Sequence, residues 1–141
     1  MLTHAIQKAS DGGGALEPQG ATDLRAFRQA IDAFPWAEQL AEWDATLSGA
    51  PPAVVLQNKG DQRELWVTAL GTDLGGAFQV LSVSMRLRKR LFGKDRMEQD
   101  ATAIRAEDRE EVDRLCVLFC DGQYEAFDRE VARLAARGSD D

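Results

Sequence analysis

The sequence predicts an α+β fold: an N-terminal helix pair, a three- to four-stranded antiparallel meander, and two C-terminal helices packed on one face of the sheet. Three observations predict it. Apolar residues recur at spacings of three and four from Leu24 to Leu47 and again from Val112 to Leu134, the period of an amphipathic helix. Between those stretches lie apolar runs with an alternating pattern, separated by glycine-rich turns. Strands grouped together, rather than interleaved with helices, indicate α+β and not a doubly wound sheet.

Residues 1–21 read as a flexible tail. Ser10-Asp11-Gly12-Gly13-Gly14 and Pro18-Gln19-Gly20 lose much entropy on ordering and carry little apolar surface to offset it. The first helix starts at Thr22 or Asp23, either of which caps free amides. Leu24, Phe27, Ile31 and Phe34 form its apolar stripe, and Pro35 breaks it, because the residue before a proline is pushed out of helical geometry. The second helix runs from Trp36 to Leu47, with Trp36, Leu40, Trp43 and Leu47 on one face, and stops at Gly49-Ala50-Pro51-Pro52.

Ala53–Gln57 is the first strand run, and Asn58-Lys59-Gly60-Asp61 has the chemistry of a hairpin turn. Glu64–Leu70 is the second run, and residues 71–76 make the next turn. In the third, Ala77–Leu87, residues Leu81, Val83, Met85 and Leu87 alternate with Ser82, Ser84 and Arg86. A short fourth strand falls at Ala101–Ile104. The next helix opens with Asp108 and Glu111 in capping-box spacing and carries the stripe Val112, Leu115, Cys116 and Phe119. Gly122 ends it as a left-handed cap. The last helix bears Tyr124, Phe127, Val131 and Leu134, and residues 138–141 are a second short tail. The expected single domain is therefore 22–137.

The chain has 141 residues, 44% hydrophobic and 29% charged, with 17 Lys and Arg against 24 Asp and Glu, a net charge of −7. That excess of acid repels a polyanion, so no nucleic-acid partner is expected. No apolar run reaches the length of a membrane span, so no membrane partner is expected either. Cys116 and Cys120 are four apart on one helix: a metal or redox pair, or two small apolar residues facing the core beside Leu115 and Phe119. A metal needs two more ligands, and a disulfide inside a regular helix strains the backbone, so packing is the expectation, with reduced thiols fitting a reducing cytoplasm. His4, the only imidazole, falls in the expected tail, too far from any fixed target for triad chemistry. No cofactor, metal or catalytic residue is assigned.

Two charged clusters remain. Arg86, Arg88, Lys89, Arg90, Lys94 and Arg96 put six cations into eleven positions, with Asp95 the one acid. They are a cationic patch, or an exposed strand end that resists edge-to-edge aggregation. Leu91 and Phe92 in their midst are expected to turn inward. Asp113, Asp121, Glu125, Asp128 and Glu130 give the last two helices an acidic face: a partner-binding surface, or a solvated helix face. Trp36, Trp43 and Trp66 are three large aromatics expected in the core; Trp66 lies on a strand between Leu65 and Val67, so one sheet face carries either exposed apolar area, with Trp66 as an interface anchor, or a cover.

Phe34-Pro35-Trp36, Glu64-Leu65-Trp66-Val67, Leu91-Phe92-Gly93 and Phe119-Cys120-Asp121-Gly122-Gln123-Tyr124-Glu125, in that order over residues 22–137, give the chain a loose resemblance to small acidic immunity proteins of bacterial toxin–immunity systems. The resemblance implies a cytoplasmic protein that binds a partner toxin one-to-one through a complementary charged surface. An effector or secretion chaperone is the alternative, holding a partner segment on an apolar sheet face and dimerising to do so. An enzyme or small-ligand domain is the third class, and needs a concave pocket with convergent polar groups. Monomer and homodimer are both compatible with the sequence.

Overall fold

The computed structural model describes residues 1–9, 16–46, 51–72, 74–88 and 91–139. Its elements are β1 (Leu2–Gln7), β2 (Glu17–Ala21), α1 (Leu24–Ala33), α2 (Trp36–Thr46), β3 (Ala53–Asn58), β4 (Arg63–Ala69), β5 (Phe78–Arg88), β6 (Arg96–Ala106), α3 (Arg109–Cys120) and α4 (Tyr124–Ser139). The strands form one six-stranded sheet in the order β2-β1-β3-β4-β5-β6, antiparallel throughout.

The α+β class agrees with the sequence reading, but the order of elements does not. Two strands precede the helix pair, within the segment read as a tail. In β1, Leu2, His4 and Ile6 alternate toward the helices, and the strand pairs with β3 from Leu2↔Asn58 to Gln7↔Ala53. Six residues with few β-formers are a weak local signal; the pairing partner lies some fifty residues away and decides the conformation. β2 contains Pro18 and a Gly20 at φ +100°, and its register with β1 shifts between His4 and Ala5. Both residues are tolerable because β2 is an edge strand. The expected fourth strand at Ala101–Ile104 is the middle of the eleven-residue β6. At the other end α4 continues to Ser139, past the start of the expected second tail. The expected end of the second helix at Leu47 and Gly49 lies outside the described residues.

The helix caps agree with the sequence. Asp23 accepts from the Ala26 amide (2.8 Å) and Asp108 from the Glu111 amide (3.0 Å). After α3, the Gly122 amide bonds the Phe119 carbonyl and the Gln123 amide bonds the Leu118 carbonyl, with Gly122 at φ +71°: a Schellman turn. The Trp36 indole donates to the Ile31 carbonyl (2.8 Å) and its ring packs on Phe34, so the α1–α2 break is pinned from inside.

Register decides the two faces. Ile6, Val54, Val67, Val80 and Ile104 stand in one cross-strand row, and Val54, Leu56, Leu65, Val67, Phe78, Val80 and Ile104 all belong to the core. Phe27 and Ile31 of α1, Val112, Leu115 and Phe119 of α3, and Phe127, Val131 and Leu134 of α4 complete that core. Phe119 meets both Tyr124 and Phe127 edge-on. One face of the sheet is therefore roofed by helices.

Candidate functional site

The residues on the other face are Ala5, Val55, Trp66, Leu81 and Ala103 in one row, and Thr3, Gln57, Glu64, Val83 and Ala101 in the next. At the β1–β3 end this face is closed: Ala5, Ala53 and Val55 are buried. Toward β6 it opens. Trp66 and Leu81 are half-buried, and Ala101 and Ala103 are exposed. Met85 and Met97 extend the apolar strip outward, 38% and 46% exposed. A polar rail runs beside it. Thr3 donates to Gln57 (3.3 Å), Gln57 donates to Glu64 Oε2 (2.9 Å), and the Trp66 indole donates to Glu64 Oε1 (3.2 Å). Both Glu64 oxygens are thus engaged, and the Trp66 ring is held in one orientation. Two shallow hollows mark the strip. One, of about 200 Å³, is walled by Ala53, Trp66, Thr68, Gln79 and Leu81. The other, of about 250 Å³, lies against Glu64, Val83 and Met85.

The acidic residues of α3 and α4 are mostly committed within the fold. Asp113 takes Arg28 (3.1 Å) and Arg109 (3.0 Å), which joins α1 to α3. Asp128 takes both guanidinium nitrogens of Arg63 (2.9 and 3.0 Å), and that guanidinium lies 4.4 Å over the Tyr124 ring, so β4 is tied to α4. Glu130 bonds Arg133 and lies 3.7 Å from Arg114. The Arg133 hydrogen bond holds its carboxyl below the usual carboxylate range. Asp121, Glu125 and Asp128 stand exposed, Glu125 3.5 Å from Arg129. Hence four of the five acids expected to meet a partner already lie against arginines, three of them in hydrogen-bonded pairs. Those arginines come from β4, α1 and α3 as well as from the same helix, which sequence spacing does not reveal.

The basic segment divides. Arg86 and Arg88 end β5, Arg88 opposite Arg96; Lys94 and Arg96 are exposed, and Lys89 and Arg90 lie outside the described residues. Leu91 and Phe92 do not turn inward. They are 96% and 90% exposed. The reason is geometric: Ser84 is the last β5 residue opposite β4, so the β5–β6 ribbon runs on alone and has no second layer to receive them.

His4 also departs from its expected place. It is fixed in β1, edge-on to Phe27, with Nδ1 enclosed and unbonded, and burial pushes its pKa down. His4 is thus a half-buried side chain packed on the rim of the core rather than part of a tail. Cys116 and Cys120 are free thiols; burial pushes both up, Cys120 to about 11. Among the described residues no group of three or more His, Cys, Asp or Glu is placed to hold a metal. No helix there is long and apolar enough to cross a membrane.

A concavity of about 720 Å³ lies between α4 and the outer part of the roofed face. It is lined on the sheet side by Ser82, Ser84 and Thr102, where the core has large apolar side chains, and on the α4 side by Val131, Ala132 and Ala135. Comparison of the chain with family models, with curated proteins and with solved structures finds no match. The functional reading therefore rests on the chain's own residues.

Proposed function

We propose that the chain is a non-catalytic protein-binding domain that neutralises a partner toxin by direct one-to-one binding in the bacterial cytoplasm, with the uncovered sheet face around Trp66 as its contact surface. The observation that carries the binding face is the partly exposed apolar strip Trp66, Leu81 and Met85, backed by the buried Val83, on a sheet whose other side is roofed by helices. An aromatic anchor already oriented by Glu64 loses little freedom on binding, which is what makes such a residue an effective centre of an interface. The neutralising role rests on the resemblance of the four sequence strings to immunity proteins.

The acidic helix face is the weaker contact surface. A partner using Asp113, Asp128 or Glu130 has to displace an arginine that each already holds. A second reading, a chaperone holding an extended partner segment, draws on β6: an edge strand of eleven residues without proline can accept an added strand.

The test is co-purification of the tagged chain from its native cells with measured stoichiometry. Wild type is expected to retain one partner at one copy each, and Leu81→Asp to lose it while remaining folded. Asp121→Lys with Glu125→Lys is expected to retain it. Loss on the acid reversals with full retention by Leu81→Asp moves the interface to the helices and refutes the face.

A further inference from the structure

The two edges of the sheet differ. β2 is blunted: it has five residues, holds Pro18 and a Gly20 at φ +100°, and slips register against β1. β6 carries none of these devices. It has eleven residues, no proline or glycine, and pairs with β5 without a break from Arg96 to Ala106. A long, regular edge of this kind is a template for a further strand. The backbone groups that face outward follow from the ladder. The Met85 amide bonds the Gln62 carbonyl and the Leu70 amide bonds the Ala77 carbonyl, so odd-numbered residues of β5 face β4 and even-numbered ones face β6. In β6 the even-numbered residues therefore face β5, and the odd-numbered ones face away from the sheet. The Arg105 carbonyl agrees: it accepts from Arg137 of α4 (3.1 Å). α4 reaches the edge there, while Ala101, Thr102 and Ala103 at the centre of the strand stand exposed.

We propose that β6 pairs with β6 of a second copy about a two-fold axis through Ala101, so that one antiparallel sheet runs through both chains. The edge is self-complementary in this register. Two-fold antiparallel pairing sets outward residues against outward residues, so the axis falls on an odd-numbered residue. At Ala101 it pairs all eleven residues of each strand. Ala101 then meets Ala101 of the second copy, Gln99 meets Ala103, and Met97 meets Arg105. Between them Asp100 meets Thr102, a carboxylate against a hydroxyl, and no like charges stand opposite. An axis at Gln99 shortens the overlap and sets Glu98 against Asp100, and one at Ala103 pairs residues 100–106 alone. The edge is about 36 Å long at roughly 3.3 Å per residue and about 10 Å thick. That footprint is about half of the roughly 800 Å² per partner of a standard interface, so the dimer is a reversible one of micromolar strength. Ala101 and Ala103 belong to the uncovered face, so pairing carries that face from Trp66 of one copy toward Trp66 of the other.

The experiment is sedimentation equilibrium of the full chain from about 1 to about 300 µM. The mass should rise with concentration from that of one chain to twice that. Ala101→Pro removes an outward N–H at the axis, at an edge position where the fold itself tolerates proline, and should stay monomeric throughout. Ala101→Lys sets two cations face to face and should weaken the dimer about fivefold. Oxidised Ala101→Cys should form a covalent dimer, because directly opposed residues lie about 5.5 Å apart, within disulfide reach. Met97→Cys should not, because its two copies stand about 26 Å apart across the axis. Three results overturn the proposal: one-chain mass at every concentration, a dimer unchanged by Ala101→Pro, or faster cross-linking through Met97→Cys than through Ala101→Cys. Leu81→Asp, expected to lose the toxin partner, should still dimerise; loss of the dimer in that variant seats the second copy on the uncovered face and overturns the edge.

Discussion

Arg63 is the residue on which β4 and α4 are joined, and removing it gives the sharpest stability prediction. Its guanidinium meets Asp128 through two parallel bonds of 2.9 and 3.0 Å and covers the Tyr124 ring at 4.4 Å. The Tyr124 hydroxyl in turn receives the Asn58 amide at 2.7 Å. The Arg63 side chain is 19% exposed and that of Asp128 54%. Exposed ion pairs contribute about 0.2–1 kcal/mol; a two-bond fork with one end enclosed belongs at the top of that range, about 1 kcal/mol. The ring contact adds about 0.5–1 kcal/mol. Arg63→Ala should therefore cost about 2 kcal/mol, Asp128→Ala about 1 kcal/mol, and the double variant about 2 kcal/mol. The coupling is then about 1 kcal/mol. For a chain of this length 1 kcal/mol corresponds to roughly 3 °C, so Arg63→Ala should lower Tm by about 6 °C. Urea unfolding of the four proteins measures the cycle, and the coupling should shrink in 1 M salt, because screening reaches the half-exposed Asp128, with a Debye length of about 3 Å. Strict additivity of the two single costs would refute the reasoning, and would return Asp128 to the set of residues available to a partner.

Three further predictions concern the C-terminal helices. Gly122→Ala should cost about 1 kcal/mol, from backbone geometry alone, since an added Cβ meets nothing within 4 Å at φ +71°; an unchanged urea midpoint would contradict the Schellman reading. Cys116 and Cys120 should react slowly with a disulfide reagent at pH 8 in the native state and fast after unfolding, as burial raises both thiols; rapid native labelling of Cys116 would contradict its place in the core. Glu111 receives two bonds from Arg137 (2.8 and 2.9 Å), which hold its carboxyl below the ordinary value of 4.5. A carboxyl depressed by folding contributes stability that is complete above its unfolded value and is lost as pH falls toward the folded one. The stability gap between wild type and Glu111→Gln should therefore narrow below about pH 4.5 and close in stronger acid, and a gap independent of pH would remove that ion pair from the account.

Much of the fold is legible locally. The caps Asp23, Asp108 and Gly122 and the apolar stripes of α1, α3 and α4 depend on near neighbours, and the structure places them as the sequence does. What failed depends on distant partners. β1 is a strand because β3 supplies a free edge, and β2 because β1 then supplies the next, not because of their own composition. Asp113 and Asp128 look free in sequence because Arg28 and Arg63 are 85 and 65 positions away. Leu91 and Phe92 look like core because apolar pairs usually bury, and only the register shows the ribbon overshooting β4. Trp66 is expected in the core with Trp36, but only Trp36 is there, because the helices roof the opposite face and leave Trp66 half-buried.

The most direct measurement is ¹⁹F NMR of the chain labelled with 5-fluorotryptophan, titrated with the partner recovered by co-purification. Trp66→Phe assigns the resonance, and Trp36, sealed in the core at 3% exposure, is the internal control. A shift of the Trp66 signal that saturates at one partner per chain, with Trp36 unmoved, is the predicted result. Saturating binding that leaves Trp66 where it was would contradict the claim that the uncovered face is where the partner sits.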